Sequence, residues 1–289
     1  MLRKDFIQLS SMGFLGLYSH GISDIIKTKK PLAIQLYTIR DAISENLEKA
    51  LEKLSALGFK ELEIYGYNGT FFGKKRNEFQ TILKDTGLKV ISSHHTTGIL
   101  RQDKGTLLSG WEKSVEDLHF IGAKYMVCSY LFPEERTIEN YKKLPELFDK
   151  SGGISKKSEI QFAYHNHDFE FGKFDDTQNI YDFILKNTSP DLVKMELDIY
   201  WISKAGLDPL IYFEKYPKRF PLWHVKDMKK ADKDFAEIGN GTIDFKRIFE
   251  AKEKAGLQYW FLEQDSSDMD IFESIKISKK YILEHSYFK

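Results

Sequence analysis

From Pro31 onward the chain alternates two hydrophobic periods. Short runs rich in β-branched and aromatic residues recur, each followed by a longer stretch with apolar positions three and four apart. The runs predict strands at 32–38, 61–65, 89–94, 125–130, 160–167, 193–200, 221–226 and 259–264. Between them, NLEKALEKLSALG sets Leu47, Ala50, Leu51, Leu54 and Leu57 on one helical stripe and stops at Gly58. TIDFKRIFEAKEKAG and MDIFESIKISKKYILEH read as helices in the same way. Eight strand–helix units in roughly 260 residues predict an α/β fold, a (β/α)8 TIM barrel forming a single domain over residues 29–289. The rival is an open doubly wound sheet, but no Gly-rich phosphate loop follows the first strand. SGGISKKSE at 151–159 reads as a polar loop before the fifth strand, not as a domain boundary.

Residues 1–28 follow a different pattern. Arg3 and Lys4 precede a mostly apolar stretch from Phe6 to Tyr18, the layout of an export signal. The expectation is an exported, periplasmic protein; the alternative is an N-terminal helix packed on the domain. Elsewhere, composition mainly excludes. Lys plus Arg and Asp plus Glu both number 43, so no global field holds nucleic acid, which leaves only a local patch for it. The single cysteine, Cys128, excludes an intramolecular disulfide and a Cys-rich zinc site. With 30% charged residues, no apolar run reaches the roughly 18 residues of a membrane span.

A barrel places its chemistry at the C-terminal ends of its strands. The polar residues there are distinctive: Gln35 and Tyr37, Glu63, His94 and His95, His165 and His167, Glu196 and Asp198, His224 and Lys226, Glu263 and Asp265. Buried imidazoles and carboxylates are costly without partners, so their clustering calls for an explanation. Alternation along a strand puts His165 with His167, Glu196 with Asp198, His224 with Lys226, and Glu263 with Asp265. If those faces point inward, His165, Asp198, His224 and Glu263 meet near the barrel axis. Two imidazoles and two carboxylates form a nitrogen–oxygen set that suits manganese, cobalt, zinc or iron. Taken singly, each of these residues reads more readily as structural, a satisfied histidine or a rim salt bridge, than as catalytic; four of them on strands 5 to 8 favour a metal.

The segments YHNHDFEF, LDIYWISKAG, HVKDM, IGNGTIDF and FLEQD, one per strand end and in order, resemble the sugar phosphate isomerase/epimerase family of xylose isomerase-like barrels. That family includes ketose 3-epimerases, inosose dehydratases, hydroxypyruvate isomerases and endonuclease IV. The resemblance implies one divalent ion (manganese, zinc, cobalt or magnesium) held by Glu, Asp, His and Glu from strands 5 to 8. Those positions are His165, Asp198, His224 and Glu263, with His165 standing where the family has glutamate. The family's epimerases use two metal-bound glutamates as an acid/base pair, and here only Glu263 remains.

The expectation is a metal-dependent carbohydrate isomerase or epimerase that removes a proton beside a metal-bound carbonyl. A lyase performing β-elimination on a keto-sugar or keto-glycoside is the alternative. A non-catalytic sugar-binding barrel is the reading from another class. Glu263 and His165 are the expected catalytic groups, with His94 or His167 as proton shuttle. Lys226 is expected to meet an anionic or oxygen-rich substrate group, or else to pair with Glu196 or Asp198. Trp201 replaces a histidine common in related chains and suits stacking on a sugar face. Glu63 and Tyr37 are candidate hydroxyl contacts. The glycines of GNG at 239–241 offer amides for an anion, or simply form a turn and helix cap. The expected partner is a small carbohydrate and not nucleic acid, with homo-oligomeric assembly as one option.

Overall fold

A computed structural model of the protein describes residues 31–288. The export signal expected at 1–28 lies outside the described residues. Eight parallel strands close into a barrel: β1 (Leu32–Gln35), β2 (Phe59–Ile64), β3 (Lys89–Thr96), β4 (Tyr125–Tyr130), β5 (Gln161–His165), β6 (Val193–Asp198), β7 (Leu222–Val225) and β8 (Tyr259–Leu262). Each strand pairs with its sequence neighbours, and β1 closes on β8 through Ile34 and Leu262. All eight predicted strands are present, with helices between them.

Outward-facing strand residues and the inner faces of the helices make the larger core. Leu47, Ala50, Leu51 and Leu54 of the helix Leu47–Ala56 are buried there, as the stripe predicts. A second, smaller core fills the barrel. Ala33, Ile91, Val127, Ala163, Leu222 and Phe261 form an apolar plug contributed by six strands. Side chains alternate along a strand, so the next inward position lies two residues on. From Ala33, Val127, Ala163, Leu222 and Phe261 that step reaches Gln35, Ser129, His165, His224 and Glu263. The plug is therefore a floor, and a polar layer stands directly on it.

Most strand boundaries shift by one to three residues from expectation, and three segments differ for evident local reasons. β1 stops at Gln35, whose side-chain oxygen accepts from Tyr37 N at 3.0 Å and starts a 3-10 turn at Leu36–Ile39. β6 stops at Asp198, which caps the helix Ile199–Lys204 by accepting from Trp201 N at 3.0 Å. The segment 151–159 is mainly helix: Ile138–Lys156 runs through Ser151 and Gly152. Small residues there let the helix approach the chain before β6, because a Cβ on Gly152 would lie 2.5 Å from the Leu192 carbonyl oxygen. Between β7 and β8 a ribbon pairs Asp227–Met228 with Phe235–Ala236. No helix among the described residues is long and apolar enough to cross a membrane.

Candidate metal centre and its cavity

The polar layer brings four strand ends together. One atom each from His165, Asp198, His224 and Glu263 lies within 4.8 Å of the others, and all four residues are buried. Local contacts fix how each presents that atom. The Asp198 cap commits Oδ1 to the following helix and leaves Oδ2 facing His165 Nε2 at 3.3 Å. His165 Nδ1 meets the Ser129 carbonyl at 3.2 Å, which accepts only, so Nδ1 carries the proton. Burial disfavours the imidazolium most and holds His165 down at about 4, so the ring is neutral near pH 7. Its Nε2 therefore offers a lone pair. His224 Nε2 faces Glu63 Oε2 at 2.5 Å, which turns Nδ1 toward Glu263 Oε2 at 2.7 Å.

That last contact decides the chemistry. His224 Nδ1 and Glu263 Oε2 are close, yet neither has a partner with hydrogen-bond geometry. Against burial, Glu196, Glu263 and Glu63 push the His224 ring well above its ordinary value, so positive charge already sits where these buried donors converge, a position that suits a cation. Each imidazole also has an oxygen partner on its other nitrogen, the arrangement that orients metal-binding histidines. The four residues fit a divalent ion.

A second group adjoins this set through His224. His94 Nε2 sits between Glu196 Oε2 at 2.7 Å and Glu63 Oε2 at 3.0 Å, and Gln35 Nε2 donates to Glu63 Oε2 at 2.8 Å. Burial opposes charge on His94, but Glu63 and Glu196 outweigh it and push the ring up to about 9. Burial and the neighbouring Glu63 push Glu196 up to about 7. For Glu63, the two histidines overcome burial and keep its carboxyl well below the usual range. The expectation of Glu63 as a hydroxyl contact is corrected. It is 0% exposed, does not reach the cavity and spends Oε2 on His224, His94 and Gln35. Its burial among His224, His94 and Gln35 keeps it from the cavity.

The cavity above is about 980 Å³. His94, His165, His167, Trp201, Lys226 and Glu263 reach it, as does the half-exposed Tyr37. His167 Nδ1 and Trp201 Nε1 have no partner. Burial holds His167 well below its ordinary value, so it is neutral. His94 also borders the cavity, although its Nε2 is tied to Glu63 and Glu196. Lys226 is 2% exposed and pairs with Asp198 Oδ2 at 2.9 Å, Glu263 Oε2 at 2.6 Å and Asp265 Oδ2 at 3.1 Å. Of its two expected partners Asp198 is present and Glu196 is not. GNG does hold an anion, the chain's own Asp227, whose oxygens accept from Gly239 N, Gly241 N, Ile243 N and Met228 N at 2.8–3.1 Å. Arg101, Phe132 and Arg136 from the loops and Phe235 from the ribbon also line the cavity, and nothing in the barrel-strand alternation marks them. Glu170 accepts from Tyr164 Oη at 2.5 Å and His167 N at 2.8 Å, anchoring the loop after β5.

The comparisons with known proteins agree with this architecture. The profile of the family described as xylose isomerase-like TIM barrel matches residues 51–280. An inosose dehydratase of Lacticaseibacillus casei is 24% identical over 269 residues, covering 81% of this chain and 88% of the relative. A sugar phosphate isomerase/epimerase of Parabacteroides distasonis ATCC 8503 superposes with a TM-score of 0.77 at 27% identity, over 92% of this chain and 97% of its own. An IOLI protein solved with a bound zinc atom superposes at 0.69 and 17% identity, over 88% and 97%, a likeness of fold. The match to the family profile spans most of the barrel, and the chain belongs to the xylose isomerase-like TIM barrel family.

Proposed function

We propose that the protein is a divalent-metal-dependent lyase that eliminates water or an alcohol from a keto-sugar or keto-glycoside. One observation carries the choice of lyase over epimerase. Of the carboxylates that line the cavity, Asp103 and Asp168 are exposed loop residues, and only Glu263 and Asp265 sit within the wall, both at the end of β8. Glu63 and Glu196 are fully buried and do not reach the cavity. Epimerisation by two carboxylates needs one on each face of the sugar ring, and the strand ends across the ring from β8 present His94, Ser129, Tyr130, His165 and His167 to the cavity instead. The inosose dehydratase relatives are named for a dehydration and support the same choice.

His165, Asp198, His224 and Glu263 would hold the ion, which when bound supplies electrophilic polarisation of the substrate carbonyl. Glu263 takes the proton from the carbon next to that carbonyl. The freed electron pair forms a carbon–carbon double bond as the carbon–oxygen bond one carbon further on breaks. The same carboxyl passes its proton to the departing oxygen, so one group balances the step. His167 and Trp201 bind the sugar through a hydrogen bond and a stacked face. The cavity sits at the upper end of the roughly 300–1,000 Å³ typical of small-molecule sites, which leaves room for a glycoside as well as a single ring.

The test uses candidate keto-sugars and keto-glycosides with the protein and Mn2+ or Zn2+ in heavy water. The expected result is an unsaturated product with release of water or alcohol, abolished in Glu263→Gln. Recovery of the inverted stereoisomer carrying deuterium, with no unsaturated product, would refute elimination in favour of epimerisation.

A further inference from the structure

Lys226 touches the same oxygens that face the two imidazoles. Asp198 Oδ2 lies 3.3 Å from His165 Nε2 and 2.9 Å from Lys226 Nζ. Glu263 Oε2 lies 2.7 Å from His224 Nδ1 and 2.6 Å from Lys226 Nζ. The ammonium is almost fully buried, so these carboxylates are its immediate environment. Only one of its three contacts has the geometry of a hydrogen bond, and that one goes to Asp265, outside the donor set. On the same side the rings of Trp201 and Phe235 lie 5.7 and 6.0 Å from Nζ, a distance at which aromatic faces attract a cation.

We propose that Lys226 is a tethered counter-ion for the metal donors, and that Asp265 with the Trp201 and Phe235 rings is the berth it moves to when a divalent ion binds. The idea rests on the metal reading above and concerns how that site is regulated. Two carboxylates buried a few ångströms apart repel unless a cation lies between them. In the ion-free chain Lys226, alongside His224, supplies positive charge at both oxygens, so the donors stay gathered. An incoming ion needs the same oxygens and meets a like charge, which weakens its binding. Asp265 relieves the conflict by drawing the ammonium outward.

Affinity for Zn2+ and Mn2+, read by competition with a chromophoric chelator, tests this in wild type, Lys226→Met, Asp265→Asn and the double variant, with circular dichroism confirming the fold. Lys226→Met is expected to bind at least tenfold tighter. Asp265→Asn is expected to bind severalfold more weakly, because the ammonium is left on the donors. The double variant should match Lys226→Met, since without the ammonium Asp265 has nothing to hold. Unchanged or weaker affinity in a folded Lys226→Met, with metal bound by the wild type, overturns the inference and leaves the metal reading standing. If Lys226→Met does not fold, Asp265→Asn alone decides, and unchanged affinity there overturns it. Metal binding in none of the proteins overturns the metal reading and this inference together.

Discussion

At the residue scale, the functional layer depends on side chains that never meet a substrate. Glu170 is the clearest case. It is fully buried, holds Tyr164 and the backbone of His167, and burial pushes its carboxyl up to about 7. A carboxyl raised in the folded state stabilises the protein fully below its unfolded value near 4.5 and loses that contribution as pH rises through the folded value. Between about pH 4.5 and 7, Glu170 is therefore expected to withdraw about 3 kcal/mol of stability, because each tenfold change in a proton-binding constant is worth about 1.4 kcal/mol. Urea denaturation across that window, compared between wild type and Glu170→Gln, measures it. The variant should show the flatter profile, and parallel profiles would remove Glu170 from the account. Alternation along the strands made the gathering of His165, Asp198, His224 and Glu263 legible because the barrel interior obeys a period of two. Glu170 was not legible, because its partner Tyr164 belongs to the strand before a turn, and no periodicity links the two. Asp265 was legible as the inward neighbour of Glu263, but its pairing with Lys226 depends on distances that only the closed ring supplies.

At the scale of elements, the segment 151–159 shows where composition misleads. Ser, Gly and Gly in succession suggest a loop, yet Ser151, Gly152 and Ser155 are buried on one face of the helix Ile138–Lys156. Smallness there serves close packing and not turning. Gly152 and Gly153 give a paired test. A Cβ at Gly152 meets the Leu192 carbonyl oxygen at 2.5 Å, whereas at Gly153 it meets nothing within 4 Å. Gly152→Ala is expected to cost about 1–3 kcal/mol through overpacking, against the roughly 1 kcal/mol that alanine gains as a helix former. Gly153→Ala is expected to stabilise by about 0.5–1 kcal/mol. Chemical denaturation midpoints moving in opposite directions support the helix packing; midpoints moving together would contradict it. The strand order and the helices between strands were readable from periodicity alone. The ends of β1 and β6 were not, because side-chain caps from Gln35 and Asp198 set them.

At the scale of the whole molecule, the fold and the metal donors are supported separately. The plug within the barrel and the core around it are built from apolar side chains that make no use of an ion. Removing metal should leave the protein folded. A ligand held at about 100 times its dissociation constant adds about 2.7 kcal/mol, which for a domain of this size is a melting shift of roughly 5–10 °C. Thermal denaturation with and without a chelator is expected to show a shift of that order and a cooperative transition in both cases. Loss of the cooperative transition on chelation would mean that the ion is structural.

The apolar plug has one more consequence. With Phe261, Leu222 and their neighbours closing the barrel just below Glu263 and His224, the reaction chamber is a blind alley. Substrate enters and product departs through a common doorway, so a spent molecule that lingers also bars the next arrival.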